Sequence, residues 1–549
     1  MPEEREDVET KSSGSPEVYQ QTKFMAWFEK AFPWLLVSGA ALGLTLMIFL
    51  PVIFFQEKTA EQLLAQSNLR LALLYTTGGA IAALGLLETY RKNTNDRTKA
   101  NADINAALKN QEHQTKVLKE QIRQFDENAF KERKAERRER YTKAVEQLGD
   151  EKAPIRMGGV YTLVGLVDEW LEEKSLSDDE RFKEGQVIIN NLCAYIRSPF
   201  TLASHYDELS QDSPTPEGIY KDKKEEFYID KAILDSEADV RLSIIKEIHD
   251  RIQGPDKNTP GAWSDFEYDF SGSTFFYPID LTNSYYAKPI NFSDSIYQSR
   301  ADFSGSTYRD EAYFGGSTYQ GGADFGGSTY KDVADFGGST YQGRADFSRS
   351  TYQWAYFSDS TYQWAYFSDS TYKSWAYFTG STYQWANFSD STYKSWAYFS
   401  DSTYENETNF SGSIFYQETY FGEDGYSNSS SCFTNRAPQF YDKKKRKNTL
   451  FGSPNNDFTV DIDKGYPIDL DSKGIPLNCK FLTSEQKEYL EGKLQEIEKI
   501  NNKLFEVKDL AKKTEISEKL RSLNEELHKW RKEATIVKAE DVAAEDTES

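Results

Sequence analysis

Five tryptophans, Trp354, Trp364, Trp375, Trp385 and Trp396, recur every ten or eleven residues, with Tyr356, Tyr366, Tyr377 and Tyr398 two places after four of them. In an extended repeat such rings either stack on one another or form an apolar strip that a partner covers. Residue types that do covalent chemistry are present but not arranged for it. Ser and Asp are plentiful, as in Ser358-Asp359-Ser360 and Ser368-Asp369-Ser370, yet they return as repeat positions and not as a singular site. His113, His205, His249 and His528 are far apart, and no Ser or Cys nucleophile has an identifiable His base. Cys193, Cys432 and Cys479 lack metal-ligand spacing and read as free thiols of a reducing compartment. Gly78-Gly79 falls in an apolar run, and Gly315-Gly316 and Gly337-Gly338 fall at repeat turns, so no glycine-rich phosphate loop follows a strand into a helix. The expectation is a protein that is not an enzyme and has no catalytic residue, metal or cofactor.

The tryptophans sit in a repeat that runs from Phe270 to Tyr426. A large residue returns every five or six positions, thirty times in all, and each is Phe or Tyr except Leu281. Ala stands two residues before nearly every Phe of the series (Ala301, Ala312, Ala323, Ala355), and Ser two before nearly every Tyr (Ser306, Ser317, Ser360). Neither the helical period of 3.6 nor the strand period of 2.0 accounts for this spacing. One large and one small inward residue per short unit suits a solenoid, whose units bury a continuous core only by stacking on their neighbours.

The unit of small residue, Asp or Asn, large residue and two polar residues, as in Ala301-Asp302-Phe303-Ser304-Gly305, resembles the pentapeptide-repeat family. The resemblance implies a right-handed quadrilateral β-helix with four units per coil. Thirty anchors then make about seven and a half coils, a rod about 36 Å long at a strand spacing of roughly 4.8 Å. Tyr at alternate anchors and six-residue steps such as Tyr308 to Phe314 depart from the family pattern. A buried phenol needs a partner, and an extra residue needs a bulge. In the implied geometry the tryptophans face outward, with Trp354, Trp375 and Trp396 on one side and Trp364 and Trp385 on the opposite side.

Around the repeat, residues 1–22 are polar and expected to be disordered. Residues 23–92 form a two-helix membrane anchor, spanning at 32–55 and 71–87, with Gly39, Gly43, Gly79 and Ala83 spaced for close helix contact. Lys23 and Lys30 precede the first span, and Arg91, Lys92, Arg97 and Lys99 follow the second, which places both termini in the cytoplasm. Residues 93–140 are a charged helix. Its stripe of Ile104, Leu108, Leu118, Ile122, Phe125 and Ala129, interrupted by Gln111 and Thr115, has coiled-coil spacing or marks a single amphipathic helix.

Residues 141–255 form a helical module with an exposed insertion from Ser198 to Glu226. Its phrases Arg140–Gly149, Arg156–Leu163 and Leu192–Arg197 resemble the segment before the repeats in bacterial membrane-attached members of the family, and its packing is similar to HEAT-like helical repeats. The β-helix is assigned to 265–426, a linker to 427–483, a helical hairpin or coiled coil to 484–534, and a disordered acidic tail to 535–549.

Nineteen acidic and eight basic residues lie between Asp269 and Asp424, and the whole chain carries a net charge of −23. Direct nucleic-acid binding is therefore not expected, because displacing counterions from phosphate needs a basic face. The sequence reads as a multidomain bacterial inner-membrane protein that binds or scaffolds an unidentified protein partner, with self-association through helices 98–130 and 484–534. The alternative, which some family members exemplify, is an acidic rod that imitates DNA and binds a topoisomerase or another nucleic-acid enzyme.

Overall fold

The computed structural model describes residues 16–55, 59–256, 258–423, 429–507 and 510–537. The expected disorder of 1–15 and 538–549, and the repeat positions Asp424 and Tyr426, lie outside the described residues. The chain divides into two units, Met1–Ala129 and Phe130–Ser549.

The first unit holds α1 (Pro16–Phe54) and most of α2 (Ala60–Leu148). Both are long and apolar enough to cross a membrane, with mean hydropathies of 2.3 over Lys30–Phe54 and 1.5 in the apolar window of α2. α1 starts at Pro16, inside the stretch assigned to disorder, because proline is preorganised for the first turn of a helix. The helices approach closely at one small residue: a Cβ on Gly43 would stand 2.8 Å from Thr77 Cγ2, whereas Gly39 and Gly79 have open space. The stalk expected at 93–140 is not a separate element. No Gly or Pro occurs between Gly85 and Gly149, so one helix runs from Ala60 to Leu148. Its stripe of Ile104, Leu108, Leu118, Ile122 and Phe125 is exposed.

In the second unit, the end of α2 packs with α3 (Ala153–Leu171), α4 (Asp178–Arg197), α5 (Tyr206–Leu209) and α6 (Lys224–Ile252). A capping box between Ser177 and Glu180 starts α4. Arg241 of α6, 2% exposed, binds Glu237 at 2.7 Å and the Ile196 carbonyl at 2.8 Å, and its guanidinium lies against the Phe276 ring of the first coil. Trp263, fully buried, donates its indole N–H to Asp168 at 2.8 Å. The module thus covers the open first coil, as capping units of stacked proteins do. The segment read as an exposed insertion supplies core residues, because Leu209 and Tyr220 are buried beside Phe227.

From Tyr268 the chain forms a parallel β-solenoid of about seven turns. Successive coils pair identical positions: Tyr308 with Tyr330, then with Tyr352, Tyr372 and Tyr393. Every Phe-to-Tyr step in this ladder spans five residues, and the sixth residue enters only between Tyr and the next Phe. There the register shifts, as between Tyr330 and Val333. Stacked rings fill the interior, for example Phe314 on Phe336 at 5.1 Å and Tyr319 on Tyr341 at 4.7 Å.

The small inward Ser residues are joined from coil to coil. Each Ser N–H donates to the Ser Oγ above, as from Ser306 to Ser328 at 3.2 Å, and the Oγ donates to a Phe carbonyl below. The buried phenols fare unevenly. Tyr268 and Tyr352 donate to backbone carbonyls, whereas the hydroxyls of Tyr308, Tyr330 and Tyr341 have no hydrogen-bond partner among the described residues. Each coil corner uses one left-handed residue, so the column Asn283, Gly305, Gly327, Arg349, Asp369, Asp390 and Gly412 is mostly Gly, Asn and Asp.

The region assigned to a linker continues the solenoid. Cys432–Phe433 pairs with Thr403–Tyr404, Leu450–Phe451 with Ile414–Phe415, and Lys480–Phe481 with Leu450–Phe451. Loops between these anchors hide the period. The hairpin of α7 (Ser484–Glu506) and α8 (Leu510–Ala534) then runs back along the rod. Its turn end meets Asn258, whose Nδ2 donates to Ser517 Oγ at 2.9 Å, and its far end pairs Thr535 with Asn448. Leu490, Leu494, Leu520 and Leu527 are buried with Ile414 and Leu450. The apolar faces assigned to self-association at 484–534 are therefore used within the chain.

Candidate interaction surface

The residue three places before each Phe of the repeat points away from the interior, and the solenoid sorts the five tryptophans into two columns. Trp354, Trp375 and Trp396 lie in one, following Val333; Trp364 and Trp385 lie in the other, following Arg344.

In the first column the rings touch. Trp354 meets Trp375 edge-on at 5.8 Å, and Trp375 stacks on Trp396 at 5.5 Å. Beside them Tyr356, Tyr377, Tyr398 and Tyr420 form an unbroken stack with centroid spacings of 5.1, 5.1 and 5.2 Å. Such contacts join the coils from outside, as cross-strand pairs do in any sheet.

The second column is open. Trp364 and Trp385 are 41% and 39% exposed, and among the described residues no ring contact joins them. They border a groove of about 380 Å³ lined also by Tyr366, Asn387, Glu407 and Asn409. Tyr366 has no tyrosine above it, because the next coil places Asn387 there and the one after places Asn409. Both amides spend Oδ1 on the corner, accepting from Ser389 N at 3.1 Å and Ser411 N at 2.9 Å. The Tyr366 ring instead carries the guanidinium of Arg344, 4.5 Å from its centroid, and that arginine also pairs with Asp346 at 2.7 Å.

Asn387, Asn409, Glu407 and Arg344 were not marked by the sequence reading. The signal was the repeat itself: each aligns with a tryptophan or with the tyrosine beside it once residues 20 to 22 apart are superposed.

The groups considered for covalent chemistry are placed elsewhere. Cys193, Cys432 and Cys479 are buried free thiols, and burial pushes the Cys193 and Cys479 thiols up to about 12, away from the nucleophilic thiolate. His249 contacts the Thr282 carbonyl at 2.7 Å, and His528 lies 3.3 Å from Asp369 beside Arg531 on α8. Among the described residues no group of three or more His, Cys, Asp or Glu side chains could hold a metal ion. The basic residues Arg309, Lys331, Lys373 and Lys394 follow tyrosines of one column, so the acidic charge of the rod is broken along that corner. Set against known protein families, curated proteins and solved structures, this chain matches none of them.

Proposed function

We propose that this chain is a membrane-tethered, non-catalytic scaffold of the pentapeptide-repeat kind that holds a protein partner on one flank of its solenoid. The observation that carries the reading is the open second column: Trp364 and Trp385 stay exposed around a groove, although the same residue type closes on itself on the other flank. Exposed apolar patches of this kind, rimmed by polar groups, are where partners dock. The two apolar helices supply the tether, and the basic residues at 23, 30, 91, 92, 97 and 99 favour a bacterial inner membrane with both termini in the cytoplasm. The exposed stripe on α2 supports pairing of copies, since Gln111 and Thr115 would meet their own kind in a parallel, in-register coiled coil. Changing Leu118 and Ile122 to Lys would then halve the particle mass measured by light scattering in detergent.

The test of the scaffold reading is a pull-down from membranes with two variants. Trp364→Ser with Trp385→Ser should lose the partner at an unchanged melting temperature. Trp354→Ser with Trp375→Ser should keep the partner and melt lower. Loss of the partner from both or from neither overturns the assignment of the flank, and recovery of a DNA topoisomerase would favour the acidic-rod alternative.

A further inference from the structure

The groove column reads Arg344, Trp364, Trp385, Glu407 over four consecutive coils, and the column beside it reads Asp346, Tyr366, Asn387, Asn409. At the first of these levels the solenoid builds a complete guanidinium site from its own residues. Arg344 lies flat on the Tyr366 ring, 4.5 Å away, and is held by the Asp346 carboxylate at 2.7 Å. Ring face plus carboxylate is the combination that a planar, weakly hydrated cation prefers. One and two coils further on, the same combination recurs without the cation. Two indoles border the groove, Glu407 closes it, and no basic side chain is among its lining. Arg436 approaches Glu407 only to 3.7 Å, with both side chains more than half exposed, so that pair is screened by solvent.

We propose that the groove takes an arginine side chain of the partner protein, its guanidinium set against the Trp364 and Trp385 rings and paired with Glu407. This rests on the reading of the flank as the docking surface and names the chemistry of what docks there. Arginine fits better than lysine, because a plane can lie against an indole face while its edge donates to a carboxylate, and a compact ammonium cannot do both. The amides of Asn387 and Asn409, whose oxygens are spent on the corners, leave their N–H groups for the backbone carbonyls of the same segment.

The experiment is fluorescence anisotropy on the full-length protein in detergent, with a fluorescein-labelled Gly-Arg-Gly-Arg-Gly peptide as probe. A second probe carries citrulline in place of arginine, which keeps the shape and removes the charge. Saturable binding is expected for the arginine peptide, with the citrulline peptide roughly tenfold weaker or worse, matching the loss of a charge-assisted hydrogen bond. Glu407→Gln, an exposed substitution that leaves the fold intact, should remove most of the difference between the two peptides. Trp385→Leu should weaken the arginine peptide roughly fivefold or more.

Equal binding of the arginine and citrulline peptides, no binding of either, or indifference to Glu407→Gln overturns the proposal. The two readings fail separately. If the peptides show no discrimination while Trp364→Ser with Trp385→Ser still loses the partner in pull-downs, the flank is the docking surface and the guanidinium assignment is wrong.

Discussion

Thr351–Tyr356 and Thr361–Tyr366 are the same six residues, Thr-Tyr-Gln-Trp-Ala-Tyr, one half-coil apart, yet they end on flanks with opposite properties. On the first, Trp354 meets Trp375 and Tyr356 stacks on Tyr377. On the second, Trp364 touches no tryptophan and Tyr366 takes Arg344 from the coil below and Asn387 from the coil above. Identical local sequence therefore does not fix what a side chain does in a solenoid. The neighbour that matters is about one coil away along the chain. A flank becomes a seam where that neighbour is another ring, and a docking surface where it is an amide or a carboxylate.

The strongest way to break the contrast is to remove the interior that both flanks share. Phe357→Ala or Phe367→Ala, each at a fully buried ring, should cost about 3–5 kcal/mol in denaturant unfolding and abolish partner binding with the fold. Alkali acts on the same interior. Burial raises the phenols of Tyr308, Tyr330, Tyr372 and Tyr393 well above their usual 10. The unfolded chain loses those protons from about pH 10 while the folded one keeps them, so this stability is intact below pH 10 and falls as the pH climbs beyond it. Phenolate absorbance from the interior should appear only together with unfolding, and a gradual rise in a still folded protein would contradict the packed columns.

A smaller effect separates the flanks. Trp375→Ser removes contacts to Trp354, Trp396 and Tyr377 and should cost about 1–3 kcal/mol, whereas Trp385→Ser should stay within about 0.5 kcal/mol. Smallest and most diagnostic is Asn387→Tyr, which gives Tyr366 the ring that Tyr356 already has. It should raise stability by about 0.5–1.5 kcal/mol and close the groove to any partner.

The ring spacing from Phe270 to Phe421 was legible because one large inward residue per five or six positions has no rival explanation, and the two-column arrangement of the tryptophans follows from that period. The end of the rod was not. Phe433, Phe440, Phe451 and Phe458 continue the stack, but uneven loops separate them, so periodicity fails where the packing continues. The run of α2 through the supposed anchor–stalk boundary was readable from the lack of Gly and Pro but was masked by a change in composition. The open flank was least legible of all. Its residues are ordinary members of the repeat, and only superposing them by coils shows that an amide stands where the opposite side has a ring.

The α7–α8 hairpin has a bearing on size. Its first helix has 23 residues, about 34 Å at 1.5 Å per residue, and the column of eight strands from Thr274–Phe275 to Cys432–Phe433 rises about 34 Å at 4.8 Å per step. Nothing in the stack itself limits how many coils it holds, since each repeats the one beneath. The strut fastened to Asn258 at one extremity and Asn448 at the other does. It acts as a gauge, so gaining or losing a coil would detach a brace before it disturbed a single interior ring.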